Sequence, residues 1–306
     1  MQTISPKVFK KIQLINRLFR ISKKHFFLNK LANYLFQKKT DLIVNELQKA
    51  HVTTLESFKK RASFENSTNI TNIIWVCWFQ GEDQAPPLVQ KCIKNLRQFN
   101  ENDYVIKIIT LENYQEFIEL PPYIEEKFKK GIISYTQLSD ILRFTLLATH
   151  GGIWIDSTYL TLSSLPKYIT THSFFTLTSS VFPNYSISKG RWAGNFIKFG
   201  KNDLNAKLFK ELFFEYWESN NELIDYFLID YYFELIYRNI KPFRERLENL
   251  PQLGDNRHLL NGILFKETNE VDNEKLAQDI YKIYKLTYKF KAEKMNKKNT
   301  YFREYF

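Results

Sequence analysis

The chain has 306 residues, of which 44% are hydrophobic and 16% aromatic, and its 44 Lys and Arg against 33 Asp and Glu give a formal net charge of +11. This composition excludes a disordered, collagen-like or low-complexity chain and allows one large domain or two small ones. The two cysteines, Cys77 and Cys92, are too few for a disulfide framework or a cysteine-based zinc site, so a reducing compartment is expected.

The positive charge is concentrated in the first forty residues, which contain ten Lys and Arg and no Asp or Glu. Subtracting those ten leaves 34 basic and 33 acidic side chains in residues 41–306, a net charge of +1. A nearly neutral body argues against a nucleic-acid-binding domain, so no nucleic-acid partner is expected. The basic residues also interrupt the apolar ones too often for a signal peptide. The longest apolar run has seven residues, well below the roughly 18–20 needed to span a membrane.

Residues 1–62 are predicted to form a basic amphipathic helical arm. A break near Ser22–His25 favours two helices, and the apolar residues that recur at helical spacing are Val8, Ile12, Ile15, Phe19, Leu28, Leu31 and Leu35. In one interpretation, residues 1–40 attach to an anionic membrane surface, with the apolar stripe in the interface. The alternative is a helical pair that packs on the body and presents a solvated basic face. The polar stretch 63–72 is predicted to be a linker.

The body, residues 73–306, begins with alternating strands and helices. The apolar run 73–79 predicts a buried strand, Pro86-Pro87 precedes a helix that reaches Phe99, and 104–110 predicts a second strand. Two short helical pieces are expected at 112–118 and 123–129. This alternation predicts an α/β sheet of the nucleotide-binding type, whose ligand lies at the carboxyl ends of the strands, near 79–83.

The strongest local signals lie in the segment 134–160. A capping box that begins at Ser134 predicts the start of a helix, and Gly151 predicts its end. Asp140 and Arg143 are three residues apart and therefore share one face of this helix. They form either a surface ion pair or, because the helix is otherwise apolar, a buried pair that serves a ligand.

A single carboxylate follows the next predicted strand. In an extended chain, Trp154, Asp156 and Thr158 point to the same side. A carboxylate and a hydroxyl at a strand end suit a divalent cation that is bridged to a diphosphate, because Mg²⁺ and Mn²⁺ prefer oxygen ligands.

Five ordered segments resemble the bacterial capsular polysaccharide synthesis protein family, which shares a signature with glycosyltransferase family 32 and the large clostridial glucosylating toxins. The segments are IWVCWFQG at 74–81, SDILR at 139–143, GGIWIDST at 151–158, IDYF at 224–227 and KLTYK at 285–289. The resemblance covers roughly residues 70–290. It implies a GT-A glycosyltransferase fold and the transfer of a sugar from a nucleotide-sugar, of the UDP-sugar class, with retention of the anomeric configuration.

The resemblance also implies roles for individual residues. The residues expected to bind the donor are Trp75, Phe79, Gln80, Gly81, Asp140, Arg143, Trp154, Asp156, Thr158, Lys285 and Lys289. Asp156 would take the first aspartate role of the D-x-D motif and contact Mn²⁺ or Mg²⁺. Thr158 replaces the second aspartate of that motif, which puts tight metal binding in doubt. Lys285 and Lys289 are candidates for neutralising the diphosphate, with a solvated basic tail as the alternative.

Three further sets of residues are assigned, the first two by the same resemblance and the third because an aromatic ring and a guanidinium suit sugar stacking and hydrogen bonding to hydroxyls. His258 is a candidate metal ligand, although a lone histidine more often packs or caps. Asp225 and Asp230, in an aromatic helix predicted over 223–237, are assigned to catalysis as holders of donor or acceptor hydroxyls, or else they cap the helix or pair with a nearby arginine. Arg191 and Trp192, on a strand expected to run to residue 199, are assigned to the acceptor cleft.

The sequence therefore predicts a peripheral, cytoplasmic glycosyltransferase at the inner face of the cell membrane. Its acceptor would be a lipid-diphosphate-linked oligosaccharide in capsule or exopolysaccharide assembly. The alternative is a catalytically inactive protein that binds a nucleotide-sugar or supports a capsule assembly complex, because the D-x-D-like motif lacks its second acidic residue.

Overall fold

A five-stranded mixed sheet organises the body of the protein. The computed structural model describes residues 3–62 and 69–306 of the chain. The strands are β1 Ile73–Cys77, β2 Val105–Ile109, β3 Gly152–Ile155, β4 Tyr159–Thr161, β5 Phe174–Thr176, β6 Phe196–Phe199 and β7 Ile283–Lys285. The main sheet has the order β2-β1-β3-β6-β5, in which β1 is parallel to β2 and β3, and β6 is antiparallel to β3 and β5. A separate antiparallel pair joins β4 to β7.

Helices surround the sheet and extend the chain at both ends. They are α1 Pro6–Ser22, α2 Asn29–Ala50, α3 Val52–Ala62, α4 Pro87–Asn100, α5 Pro122–Lys129, α6 Tyr135–His150, α7 Lys167–Thr171, α8 Leu204–Ser219, α9 Leu228–Asn239, α10 Lys241–Glu248, α11 Leu259–Ile263, α12 Glu270–Gln278, α13 Ala292–Met295 and α14 Tyr301–Tyr305. In the part of the chain that the structure describes, none of these helices is both long and apolar enough to cross a lipid bilayer.

Side chains alternate between two cores on opposite faces of the sheet, as the pleat of a strand requires. Trp75 and Trp154 are partners in the β1–β3 register and pack with α6, α8 and α9. Ile74 and Ile153 are partners in the same register and pack on the other face, against α4. The prediction of an α/β fold is therefore confirmed, and the mixed sheet agrees with the GT-A expectation.

The N-terminal helices share the first of these cores. The predicted break between two helices is confirmed, because α1 ends at Ser22 and α2 begins at Asn29. Ile12 of α1 and Ile43 and Leu47 of α2 belong to the same apolar cluster as α6 and α8. Burial of this apolar surface stabilises the helices on the body, which a free arm could not achieve. Residues 63–68 of the predicted linker lie outside the described residues.

Three predicted element boundaries are wrong. The helix predicted over 223–237 begins only at Leu228, so Asp225 lies in the preceding loop. The strand expected from Arg191 begins at Phe196. The helical piece expected at 112–118 is a single 3-10 turn, Tyr114–Glu116. Aromatic and β-branched residues are compatible with several backbone states, so tertiary packing decided these boundaries.

Candidate functional site

The cavity that contains most of the predicted donor residues lies where β1 and β3 end and α6 begins. Its volume is about 690 Å³. The side chains that line it are Cys77, Trp78, Phe79, Gln80, Gln84, Pro86, Tyr135, Thr136, Ser139, Asp140, Arg143, Trp154, Asp156, Ser157, Thr158, Tyr226, Lys285, Tyr288 and Lys289. The cavity is located at the carboxyl ends of the strands, where the predicted α/β sheet places a ligand.

Helix α6 carries a buried ion pair into this cavity. The Ser134 hydroxyl caps the helix by accepting a hydrogen bond from the Gln137 backbone N–H at 3.3 Å. Arg143 Nη1 lies 3.0 Å from Asp140 Oδ1, and both residues are only 5% exposed. The pair is therefore buried, which decides against the alternative of a surface ion pair.

Burial raises the pKa of Asp140 to about 7. The Arg143 guanidinium lowers this pKa, and the neighbouring carboxylates Asp156 and Asp230 raise it further. With this pKa, the carboxyl group is present near neutral pH in both its protonated and its ionised form. It can therefore both donate a hydrogen bond to a ligand hydroxyl and accept one from it.

Asp156 is the centre of the charged cluster. Its Oδ1 accepts hydrogen bonds from Trp154 Nε1 at 2.9 Å and from Arg143 Nη2 at 3.3 Å, and its Oδ2 accepts one from Lys285 Nζ at 2.9 Å. Burial alone would raise the pKa of Asp156, but Lys285 and Arg143 outweigh burial and hold the pKa below its ordinary value. Asp156 is therefore a carboxylate at any physiological pH.

Two glycines allow this carboxylate to reach the edge of the sheet. Gly151 and Gly152 have φ values of +70° and +103°, which favour glycine. A Cβ at Gly152 would lie 2.6 Å from the Ile73 carbonyl oxygen, so a larger residue would push β3 away from β1. After β3 the chain forms a turn, which the Tyr159 N–H closes by donating to the Asp156 carbonyl at 3.0 Å, and not the extended conformation that the sequence predicted. Thr158 nevertheless lines the cavity.

Lys285 approaches this turn from the C-terminal part of the chain. Strand β7 pairs with β4, and Lys285 is the register partner of Tyr159. Its Nζ donates to Thr158 Oγ1 at 2.6 Å as well as to Asp156. Lys289 lines the same cavity and is exposed. Lys285 thus lies beside the D-x-T turn, and Lys289 lines the same cavity.

Of the residues on and after β1 that were predicted to contact the donor, some line the cavity and others do not. Phe79 and Gln80 line the cavity, whereas Gly81, which follows them, is not among the lining residues. Trp75 does not line it, because it lies within β1, four residues before Phe79. It is 1% exposed and donates its Nε1–H to the Gly151 carbonyl at 2.8 Å. The structure therefore does not bring Trp75 to the cavity with the other predicted donor residues, and its indole supports the sheet from within the core.

Aromatic side chains that the sequence analysis missed form much of the cavity wall. They are Trp78, Tyr135, Tyr226 and Tyr288. The Trp78 and Tyr288 rings meet edge to face with centroids 5.3 Å apart, and Tyr135 lies 5.4 Å from the Phe79 ring. Trp78 and Tyr288 lie inside the segments that carried the family resemblance, so their positions in those motifs were the available signal.

The two aspartates assigned to catalysis lie outside the cavity lining. Asp225 forms a buried ion pair with Lys39 of α2, in which Lys39 Nζ lies 2.9 Å from Asp225 Oδ2. The two side chains are 8% and 7% exposed, respectively. Asp230 accepts a hydrogen bond from Trp192 Nε1 at 2.8 Å, and burial raises its pKa to about 6. Each of the two therefore has a structural partner inside the protein, Lys39 for Asp225 and Trp192 for Asp230.

The residues assigned to the acceptor cleft are also structural. Trp192 is 1% exposed and stacks on Phe233 of α9, with ring centroids 5.3 Å apart. Arg191 donates to Glu234 Oε2 at 2.5 Å and lies over the Tyr237 ring, 4.3 Å from its centroid. Neither residue lines the cavity, because both pack against α9. The sequence contains no local signal that places α9 beside them.

The residues implied as metal ligands do not form a metal-binding set. Both carboxylate oxygens of Asp156 already accept hydrogen bonds from cationic or N–H donors. His258 lies outside the cavity lining, and burial, Arg257 and Lys285 lower its pKa. Within residues 3–62 and 69–306, no group of three or more His, Cys, Asp or Glu is placed to hold a metal ion. The site therefore does not fit the Mn²⁺ or Mg²⁺ that the resemblance implied.

Comparisons with known proteins extend over most of the chain. The model of the capsular polysaccharide synthesis protein family matches residues 23–305. An uncharacterized glycosyltransferase of Acanthamoeba polyphaga mimivirus is 29% identical over 126 residues, which are 38% of this chain and 47% of that protein. The match thus spans about half the length of this relative. Among solved structures, the PaToxG glycosyltransferase is similar with a TM-score of 0.38 and 17% identity, over 82% of this chain and 95% of that one.

Proposed function

Because the chain belongs to the capsular polysaccharide synthesis protein family, we propose that it is a glycosyltransferase that moves a sugar from a UDP-sugar to a growing capsular polysaccharide. The observation that carries this proposal is the placement of Asp156 between Arg143 and Lys285 in a cavity of about 690 Å³. Ligand pockets are typically about 300–1,000 Å³, which suits a nucleotide-sugar. The mimivirus relative is itself named a glycosyltransferase, which supports the same class.

Each part of the donor has a matching surface in the cavity. The aromatic wall of Trp78, Phe79 and Tyr288 offers flat faces against which a nucleobase can stack. Asp140 and Asp156 supply hydrogen-bond acceptors for ribose and sugar hydroxyls. The cationic side chains of Arg143, Lys285 and Lys289 in the same cavity supply the positive charge that a diphosphate requires.

The reaction breaks the bond between the sugar C1 and the β-phosphate oxygen, and the electron pair stays on that oxygen. A new bond forms between C1 and the acceptor oxygen, whose proton is released to solvent. The products are a glycoside, a nucleoside diphosphate and a proton. Because negative charge develops on the leaving diphosphate, preorganised cations at the site lower the barrier. The resemblance implies retention at C1, which the anomeric coupling constant in the NMR spectrum of the product tests.

A screen of nucleotide-sugars for nucleotide release tests the proposed function. We expect release of UDP from at least one UDP-sugar, and faster release when a lipid-diphosphate-linked oligosaccharide is added as acceptor. Calorimetry with the same UDP-sugars separates binding from turnover. Binding of a UDP-sugar without release in the presence of acceptors would favour the inactive binding protein that Thr158, in place of an acidic residue, also allows.

We further propose that the protein acts at the inner face of the cell membrane, where a lipid-linked acceptor would be located. Most of the apolar stripe predicted to enter the membrane is not available, because Ile12, Ile15, Phe19 and Leu35 are buried within the protein, and of its residues Leu31 is exposed. A different apolar surface is exposed where α1 and α2 meet. Phe26 and Phe27 at this turn are 90% and 80% exposed, and further exposed apolar residues nearby are Leu14, Leu18, Ile21 and Leu31.

The charge around this turn complements an anionic lipid surface. Of the ten basic residues in the first forty, nine are exposed, and only Lys39 is turned inward. The exposed ones nearest the turn are Arg17, Arg20, Lys23, Lys24 and Lys30. Each basic residue near an anionic membrane contributes about 1 kcal/mol, and exposed Phe rings add apolar burial in the interface.

The double substitution Phe26→Ser and Phe27→Ser is expected to lower binding to phosphatidylglycerol-containing vesicles by about tenfold or more, because two rings lose their burial in the interface. Co-sedimentation with these vesicles and with neutral phosphatidylcholine vesicles measures the effect. Ile280→Ser, which removes another exposed apolar side chain, is the matched control. Vesicle binding by the double variant that equals the wild type would rule out this membrane surface.

A further inference from the structure

The ammonium group of Lys285 lies between Asp156 and Thr158, the two residues that correspond to the D-x-D motif in the family resemblance. Its Nζ lies 2.9 Å from Asp156 Oδ2 and 2.6 Å from Thr158 Oγ1. We infer that Lys285 replaces the metal ion, so that this protein binds its nucleoside diphosphate and transfers the sugar without a divalent cation. This inference rests on the proposed function and specifies how its site neutralises the diphosphate.

The backbone holds Lys285 in this position. The Lys285 N–H donates to the Arg257 carbonyl at 2.7 Å, and the following Leu286 N–H donates to the Thr158 carbonyl at 2.9 Å. The register of β4 and β7 places Lys285 opposite Tyr159, and the ammonium lies 5.2 Å from the centroid of the Tyr159 ring. A lysine fixed on a strand beside the motif is preorganised, unlike a lysine on a mobile tail.

The charges of the site oppose a metal ion there. A divalent cation at Asp156 would have to displace the Lys285 ammonium and would then lie near the Arg143 guanidinium, which already contacts Oδ1. The metal ion and the Arg143 guanidinium would both be positively charged and close together, and such charges repel strongly in a partly buried site. The second position of the motif is the neutral Thr158 hydroxyl, which accepts a hydrogen bond from the same lysine. One carboxylate with two cationic neighbours is a poor ligand set for Mg²⁺ or Mn²⁺.

The same charges favour a diphosphate. Lys285 is 19% exposed at the side chain and therefore reaches the cavity surface, where Lys289 adds a second ammonium. A lysine ammonium binds phosphate oxygens as a point charge, and hydrogen bonds between charged groups are about twice as strong as neutral ones. When C1 separates from the β-phosphate oxygen, Lys285 stabilises the charge left on that oxygen.

The experiment measures UDP binding by calorimetry, and UDP release from the best donor, with the full-length protein in EDTA and then in Mn²⁺ or Mg²⁺. We expect the dissociation constant and the rate to stay within about twofold across these conditions, since no ion is part of the site. Lys285→Met is expected to weaken UDP binding by about tenfold or more, and Lys285→Arg to retain most of the affinity because the charge remains.

Lys275→Met, which removes a charge from the exposed face of α12, is the control for non-specific charge effects. The inference is overturned if EDTA abolishes UDP binding and Mn²⁺ or Mg²⁺ restores it. It is also overturned if folded Lys285→Met, checked by circular dichroism, binds UDP like the wild type. Metal-dependent binding with turnover would overturn this inference alone, whereas failure to bind any nucleoside diphosphate would overturn it together with the proposed function.

Discussion

Replacing Asp156 with asparagine is expected to lower kcat/KM for UDP release by about 100-fold or more, which is the usual cost of removing one preorganised electrostatic group from an active site. Asparagine has nearly the same shape, so the turn after β3 should persist. Its amide, however, carries no charge, and an amide N–H directed at Lys285 or Arg143 would replace a favourable contact with a repulsive one. Both the hydroxyl acceptor and the orientation of the two cations would be lost.

Steady-state assays of UDP release by the Asp156→Asn variant measure this effect, with circular dichroism to establish that the variant is folded. The matched control is Asp103→Asn, which neutralises an exposed aspartate in the turn before β2 and should leave the rate unchanged. If the Asp156→Asn variant is folded and retains kcat/KM within about threefold of the wild type, Asp156 is not part of the catalytic site.

Replacing Lys39 with methionine is expected to lower the free energy of unfolding by about 3–5 kcal/mol, because breaking a buried ion pair leaves its partner charged and uncompensated. The Lys39 and Asp225 side chains are only 7% and 8% exposed, and their ion pair joins α2 to the loop before α9. Methionine preserves the apolar stem of lysine, so packing changes little. Denaturant unfolding monitored by circular dichroism gives the free energy difference.

The neighbouring residue provides the control for this prediction. Lys38→Met removes an exposed lysine from the same helix and is expected to change stability by less than about 0.5 kcal/mol. The double variant Lys39→Met/Asp225→Asn is expected to be more stable than the sum of the single losses predicts, since neither charge is then stranded. Equal stabilities of Lys38→Met and Lys39→Met would show that the pair contributes nothing.

The same ion pair connects the N-terminal helices to the donor cavity. Tyr226, which follows Asp225, lines the cavity, and its carbonyl accepts a hydrogen bond from Gln137 of α6 at 3.5 Å. Loss of Lys39 should therefore also raise KM for the donor. The N-terminal helices are thus part of the folded core, so deletion of residues 1–40 would disturb that core rather than test membrane binding.

The sequence alone was sufficient for elements whose signals are local. The capping hydroxyl of Ser134 and the glycine stop at Gly151 bound α6, as predicted, because both act within a few residues of the helix ends. The apolar run of β1 and the carboxylate after β3 were also read correctly. Since parallel strands end at a common edge, the position of the cavity followed from the predicted sheet.

Only the tertiary structure decided which charged residues face the cavity. Asp225 and Asp230 looked catalytic in sequence, but their partners, Lys39 and Trp192, lie 186 and 38 residues away along the chain. Lys285 meets Asp156 across 129 residues. No local pattern specifies such pairs, because they depend on how β4 pairs with β7 and how α2 packs against α9. The sequence therefore determined the family and the sheet edge, whereas long-range packing determined which charges form the site.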